Sequence, residues 1–480
     1  MNPDPLAPAS AHRSHRSQWL VSERRRLLMA GDTLAILLAV LLSLLIWMMV
    51  DGRDLGLRFV VARSYWFPIL AFLWLALASA NDFYSLRIAA RIDTTLIRLV
   101  QVTAQLWVLY LIVFFFSPRD ALPRLFVLYY GVLSFAFIAA WRAVRPLVFG
   151  WTGARRRVLI VGAGHAAVTI IEALREEVPG DYELVGLIVE PDEAPSGDDL
   201  PAPVVGTGAD LPGLARQENV SEVILTQGRE FSGTMFQAMV DCYAQGIRVV
   251  PMPLLYEQIT GRVPVEHVGQ RYWTSVLPIE RGSRFDPYPL VKHGMDLVLS
   301  FAGLLVFGAL LPVIAPILWL DSPGPIFYRQ ERVGQGGSTF RLVKLRSMIP
   351  DAERHTGPQW ASNGDPRITR VGRVLRRTRL DEVPQLLNVL HGEMSLIGPR
   401  PERPAFVEEL GETIPFYRAR HVVKPGITGW AQVRHPYGNT AEDALMKLQY
   451  DLYYIRHRSL ALDLLIALRT VGNVFSLRGM

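Results

Sequence analysis

The chain has almost no cysteine: Cys242 is its one thiol in 480 residues. That excludes an internal disulfide and any zinc site built from several thiolates. No long basic run opens the chain, and excess arginine beside apolar blocks more often marks cytoplasmic loops and lipid-facing patches, so nucleic acid is not expected as a partner despite a net charge of +6. No small-residue cleavage site follows the first apolar block, so that block does not read as a signal peptide. Residues 1–22 are polar, with Pro, Ser and His, and are expected to be disordered. The rest of the first third is nearly continuous apolar blocks with few charges inside them, which points to lipid.

What is present in that third is a series of apolar blocks. They lie near Leu27–Val50, Tyr65–Ser79, Leu99–Phe116 and Leu125–Phe149. A membrane-spanning helix needs about 20 apolar residues, and the second block is short by that measure. Asp32 sits one turn inside the first block, a cost tolerated near an interface or inside a bundle. Arg24, Arg25 and Arg26 precede the first block, Arg87, Arg91 and Arg98 lie between the second and third, and Arg155, Arg156 and Arg157 follow the fourth. Four spans put all three clusters on one side, the cytoplasmic one by the positive-inside rule. Arg53, Arg58, Arg63, Arg119 and Arg124 on the other side weaken the asymmetry without reversing it. The expectation is a four-helix transmembrane bundle over residues 23–150.

"RVLIVGAGHAAVTIIEALREE" then reads as strand, glycine turn and helix. Gly162 and Gly164 permit a tight turn, and Ala167 stands where a dinucleotide fingerprint has its third small residue. "ELVGLIVE" ends in Glu190, where a ribose-binding acid would stand, and "EVILT" and "IRVVPMP" are further strands. The expectation is a Rossmann-like parallel α/β domain over 151–280. A lone glycine fingerprint is weak evidence for a ligand, so no cofactor-binding residues are assigned. A Tyr-x-x-x-Lys pair, Tyr288 and Lys292, lies outside that domain and reads as coincidence.

"MDLVLSFAGLLVFGALLPVIAPILWL" is long enough to span, but it contains Pro312 and Pro316, and basic residues flank both ends. A fifth span would place the two flanks on opposite sides. The expectation is a re-entrant helix over about 293–320, broken at Pro312, with a kinked fifth span as the alternative.

The chemistry concentrates in "TRLDEVPQLLNVLHGEMSLIGPRP". Arg367, Arg370, Arg373, Arg376, Arg377 and Arg379 precede the adjacent acids Asp381 and Glu382. Pro384 suits a helix start and Gly392 its end, so the acids fall near a helix N-terminus, which favours phosphates. Adjacent helical acids point about 100° apart, so they do not form a facing acid–base dyad. One reads as nucleophile or metal ligand and the other as its helper. Alone, such a pair is ordinary capping charge, and Arg370, Arg373 and Arg377 alone are a membrane-facing polar stripe. Arg400, fixed in "GPRP" just beyond, favours a phosphate site.

"YRQERVG", "KLRSM", "RLDEVPQLLNVLHGEMSLIGPRP" and "KPGITGWAQV" resemble the bacterial polyprenyl-phosphate sugar-1-phosphate transferases over residues 285–480. The N-terminal parts resemble the large subgroup that begins exopolysaccharide or O-antigen units. The resemblance implies a mostly helical catalytic domain. It further implies attack by Asp381 on the sugar-bearing phosphate of a UDP-sugar, UDP-glucose first. UMP leaves, and the sugar phosphate passes to undecaprenyl phosphate. Glu382 is implied as assistant and, with Asp381, as ligand of Mg²⁺. Arg376 and Arg400 match phosphate-site positions, and Lys344 and Arg346 match a basic motif near the diphosphate or headgroup. Pro312 matches the family's helix-breaking proline, with Leu311 where small members carry serine. The implied setting is the cytoplasmic face of the bacterial inner membrane, among membrane lipids, with a homodimer through the N-terminal parts.

Two rival readings are a membrane-anchored NAD-dependent sugar oxidoreductase or epimerase, and a non-enzymatic scaffold. "LALDLLIALRTVGNVFSL" near the C-terminus reads equally as an interfacial or a packing helix. The purified protein is expected to release no nicotinamide on denaturation; stoichiometric NAD in the supernatant would favour the first rival.

Overall fold

The computed structural model describes residues 21–50, 57–89, 91–116, 124–149, 155–190, 202–226, 231–267, 286–350, 352, 365–435, 438 and 440–475. The expected N-terminal disorder lies almost wholly outside this set. The apolar blocks form α1 (Val21–Val50), α3 (Trp66–Ala80), α5 (Ile92–Phe116) and α6 (Arg124–Phe149), with short helices α2 (Leu57–Ala62) and α4 (Leu86–Ala89) between them. Helix α1 packs on α3 and α6, and α5 packs on the same two. Glycines permit the close approaches: a Cβ on Gly31 would stand 2.1 Å from the Trp141 ring, and one on Gly131 would stand 1.9 Å from Trp107. Helices α1, α5 and α6 are long and apolar enough to cross a membrane, whereas α3 is shorter. Its 15 residues reach about 22 Å, less than the hydrocarbon thickness.

Asp32 is fully buried in this bundle and accepts two hydrogen bonds from Arg142, at 2.6 and 3.2 Å. The same guanidinium lies 4.3 Å from the centroid of the Phe83 ring. The charge inside the first apolar block is therefore neutralised from α6.

The middle domain is a five-stranded parallel sheet of β1 (Arg156–Val161), β2 (Tyr182–Ile188), β3 (Val204–Gly206), β4 (Glu222–Leu225) and β5 (Arg248–Pro251). Its order, β3-β2-β1-β4-β5, is that of a doubly wound sheet. Strand β1 shows the reason for two layers. Val158 and Ile160 pack with α7 (His165–Glu177) and α10 (Met252–Thr260), in a core continuous with the membrane helices. Leu159 and Val161 pack on the other face with α8 (Leu211–Gln217) and α9 (Gly233–Ala244). Gly162 and Gly164 take φ of 102° and 128°, as the glycine turn requires. Glu190 accepts the Ser232 backbone N–H at 3.1 Å, where α9 begins.

The last part opens with α11 (Tyr288–Asp321) and the hairpin β6 (Phe327–Val333)–β7 (Thr339–Leu345). There follow α12 (Arg370–Thr378), a 3-10 segment (Leu380–Gln385) and α13 (Leu386–Leu390). Strand β8 (Ser395–Ile397) pairs in parallel with β9 (Gly426–Thr428), and α14 (Pro404–Thr413), α15 (Trp430–Arg434), α16 (Ala441–Arg456) and α17 (Leu460–Phe475) complete the unit. Helix α17 packs on α3 and α15, with Ile466 fully buried, so its face is chiefly a packing one.

Helix α11 differs from the expected helix–break–helix. It continues through Pro312 and Pro316 as 34 helical residues. Proline removes a hydrogen bond and bends a helix without having to end it. It is also apolar enough to span, and little of it is buried. Both of its ends touch the same globular unit. Near the start, Lys292 pairs with Asp463 at 3.0 Å and Asp296 accepts the Leu396 N–H at 3.0 Å. At the end, Asp321 accepts the Val371 N–H at 2.9 Å and Leu318 packs on Leu345 and Leu375. Tyr288 also donates to Asp463, at 3.0 Å, so the Tyr-x-x-x-Lys pair anchors α11 to α17.

Arg142→Met should cost about 3–5 kcal/mol by leaving Asp32 buried and uncompensated. Adding Asp32→Leu should recover most of the loss. Thermal unfolding in detergent checks both, and an unaltered midpoint in the single variant would remove the pair from the bundle's support.

Candidate active site

Three segments converge on the acid pair. Helix α12 is capped by Thr369, whose Oγ1 accepts the Gly372 N–H at 2.9 Å. It ends at Arg379, in a left-handed conformation with φ of 57°. That conformation costs a non-glycine residue about 1–2 kcal/mol. It reverses the chain so that the 3-10 segment brings Asp381 and Glu382 back against β7. Both acids are buried, at 7% relative exposure. The acids thus sit on a 3-10 turn followed by a five-residue helix, shorter than the expected single helix. Pro384 lies inside that turn, and Gly392 follows the short helix with φ of 78°.

Glu382 is the centre of the charge arrangement. One oxygen receives Lys344 Nζ at 2.9 Å and Arg400 Nη2 at 2.6 Å. The other faces Arg379 Nη1 at 3.7 Å. Burial opposes its ionisation, but Arg400 and Lys344 outweigh burial and hold the carboxyl well below the usual range. Asp381 has no such clamp: among the described residues its carboxylate accepts no hydrogen bond. Burial first, and the Glu382 charge second, push its pKa above the ordinary value, against Lys344, Arg376 and Arg400. One acid is therefore fixed and ionised, while its neighbour is close to the same cations but uncommitted.

The cations are positioned by buried polar contacts that give little signal in the sequence. Asn388 accepts the Val343 N–H at 3.1 Å and donates to Arg341 O at 2.8 Å, which pins β7 beneath Lys344. Arg420 donates to the Arg400 carbonyl at 3.0 Å and to Asp451 at 2.7 Å, and is itself buried. Arg332 donates to Pro401 O at 2.9 Å. A Cβ on Gly426 would stand 2.1 Å from Gly398 N, so "KPGITGW" packs the Arg400 loop by bare backbone.

The expected phosphate-site residues divide. Lys344 and Arg400 meet at the acid pair. Arg376 turns inward and donates from Nε to Ser347 Oγ at 2.8 Å, close enough to lower the Asp381 pKa. Arg346 does not join the acid pair: its buried guanidinium donates to the carbonyls of Ser322 and Pro323 at the end of α11. It leaves the alternation of β7, which ends at Leu345, and so does not follow Lys344 to the acids. Arg367 pairs with Asp365 at 2.6 Å. Arg379 and Ser347 are the site residues that the sequence reading missed, and only the position of Arg379 beside the acids could have marked it.

The fit to Mg²⁺ is also divided. Mg²⁺ is commonly held by one or two carboxylates together with substrate phosphates. Asp381 fits that role. Glu382 does not, because its oxygens already face three cations. No group of three or more His, Cys, Asp or Glu able to hold a metal occurs among the described residues.

Residues 287–477 match the family model described as bacterial sugar transferase. A Caulobacter vibrioides protein named UDP-glucose:undecaprenyl-phosphate glucose-1-phosphate transferase is 44% identical over 191 residues, 39% of this chain and 70% of that protein. The chain belongs to the bacterial sugar transferase family. A UDP-N-acetylgalactosamine-undecaprenyl-phosphate N-acetylgalactosaminephosphotransferase from Aeromonas hydrophila is 41% identical over 247 residues, 52% of this chain and 57% of its own length. A UDP-glucose:undecaprenyl-phosphate glucose-1-phosphate transferase from Escherichia coli (strain K12) is 29% identical over 431 residues, 88% of this chain and 90% of its own. The chain spans 57 to 66% of the length of the first curated relatives it matches. Residues 79–233 match a second model, described as a CoA-binding domain, which runs from the membrane helices into the middle sheet.

If Asp381 must be ionised to act, activity falls as pH drops through its raised pKa. Lys344→Met removes a cation that favours the carboxylate, so the acidic limb of kcat/KM should move to higher pH. An unmoved limb, measured as UMP release against pH, would take Lys344 out of the field at Asp381.

Proposed function

We propose that this bacterial sugar transferase moves a hexose-1-phosphate from a UDP-sugar to undecaprenyl phosphate, with release of UMP. The observation that carries the reading is the contrast between a caged Glu382 and a neighbouring Asp381 that accepts no hydrogen bond among the described residues. Asp381 attacks the sugar-bearing phosphorus, the bond to the UMP oxygen breaks, and an aspartyl-phosphosugar forms. The lipid phosphate then attacks the same phosphorus, the aspartyl bond breaks, and Asp381 is regenerated as the carboxylate. Lys344, Arg376 and Arg400 supply positive field for the phosphates. Glu382 acts as the anchor that holds Lys344 and Arg400 in place. Asp381 would be the residue to hold Mg²⁺, whose charge would neutralise developing phosphate charge.

The reaction takes place at the cytoplasmic face of the inner membrane, in the first membrane step of an exopolysaccharide or O-antigen. Helix α11 enters and leaves that face as a bent re-entrant element. Contact of both its ends with one globular unit supports this reading over a fifth span. The middle domain is Rossmann-like and serves a structural or regulatory purpose; the engagement of Glu190 by Ser232 supports that over dinucleotide binding. UDP-glucose is the first donor proposed, and UDP-N-acetylgalactosamine is the second, on the name of the Aeromonas relative.

The test is turnover of detergent-solubilised protein with each UDP-sugar, undecaprenyl phosphate and Mg²⁺, following UMP and lipid-linked sugar together. Asp381→Asn should lose roughly four orders of magnitude or more in kcat. A variant that keeps substantial turnover would remove Asp381 as nucleophile, and absence of lipid product with every donor would remove the transferase reading.

A further inference from the structure

The acid pair uses only part of the arginine run that precedes it. Arg376 and Arg379 turn inward and Arg367 finds Asp365. Arg370, Arg373 and Arg377 do none of these things. All three are exposed on one face of α12, at spacings of three and four residues, and none forms an ion pair among the described residues. Asp321 lies close enough to feel the Arg370 charge, but its carboxylate is taken by the Val371 N–H. Val374, in the middle of the stripe, is 61% exposed. The stripe extends about 10 Å along the helix.

Its place in the fold decides what it meets. The inner face of α12, through Val371 and Leu375, packs on Leu318 and Ile314 of α11. Helix α11 is the long apolar helix whose surface is largely uncovered, and its end exposes Trp319 and Leu320 at 54% and 74%. Tryptophan at the end of an apolar helix marks the level of the lipid headgroups. The three guanidinium groups are therefore carried at that level, beside surface that needs lipid to cover it. Their methylene stems and Val374 can lie along the apolar boundary with the charges outward.

We infer that the outer face of α12 is a docking surface for anionic lipid headgroups. It holds the arm that carries Asp381 against the membrane. The inference goes beyond the proposed reaction and depends on neither the donor sugar nor the role of Asp381. Clustered basic residues at a membrane surface each contribute by attraction to anionic lipid, so three together give a measurable preference.

The experiment is native mass spectrometry of the full chain in neutral detergent with equimolar phosphatidylglycerol and phosphatidylcholine. The wild type should retain phosphatidylglycerol in excess. R373Q alone should reduce that excess about fivefold, and R370Q/R373Q/R377Q on the order of a hundredfold. R370K/R373K/R377K should keep it, because charge and not guanidinium shape is being read. Raised salt should weaken it. An undiminished excess in the glutamine variants, with circular dichroism and melting unchanged, would overturn the inference. So would displacement of phosphatidylglycerol from the wild type by inorganic phosphate at equal concentration, which would make the stripe a free-phosphate site.

Discussion

The catalytic unit is organised around one buried carboxylate. Glu382 draws Lys344 from β7, Arg379 from the end of α12 and Arg400 from the loop after β8. Lys344 lies 38 residues before Glu382 and Arg400 lies 18 after it, and the negative charge between them holds both cations at one point. A buried carboxylate is costly unless it is paired and hydrogen-bonded. Here the cost is met by Lys344 and Arg400, the cations assigned to the phosphates in the proposed reaction. The same arrangement leaves Asp381 with the field of those cations but not their hydrogen bonds. Two adjacent acids of similar chemistry are thereby separated into an anchor and a free carboxylate.

That separation depends on a second layer that touches neither Asp381 nor Glu382. Asn388 fixes the strand under Lys344, and the Arg420–Asp451 pair fixes the carbonyl of Arg400. Gly372 performs the equivalent task for α12: a Cβ there would stand 2.0 Å from Ser347 O, a backbone atom that cannot yield. The geometry of the site is set by backbone approaches as much as by charges.

Much of this was legible in the sequence. The apolar blocks, the glycine turn and the acid pair beside Arg400 each follow from local pattern, because each depends on residues close together in the chain. Strand β3 was missed, since three residues give no alternation to read. The continuity of α11 through Pro312 was not legible, because a proline in the sequence is compatible with either a break or a bend. The divergence of Arg346 from Lys344 was not legible, because sequence spacing does not show where a strand ends. The partners of Asp32 and Glu382 were out of reach in a different way: Arg142 is 110 residues from Asp32, and no periodicity links them. The basic run held three populations of arginine, and the pattern alone separated only Arg370, Arg373 and Arg377 as one face.

The membrane enters the account at two levels. Deep in the bundle, charge is buried and paired, as at Asp32 and Arg142. At Arg370, Arg373 and Arg377 of α12 it is exposed, beside an apolar helix and with no ion pair among the described residues. Catalysis is assigned to neither of these but to the unclamped Asp381. Its most direct test is isotope exchange between labelled UMP and UDP-glucose, or UDP-N-acetylgalactosamine, with no polyprenyl phosphate present. A covalent aspartyl-phosphosugar predicts that label passes from UMP into the sugar nucleotide without the lipid. Exchange that appears only when the lipid is added would contradict the account, because Asp381 would then not carry the sugar phosphate between the two substrates.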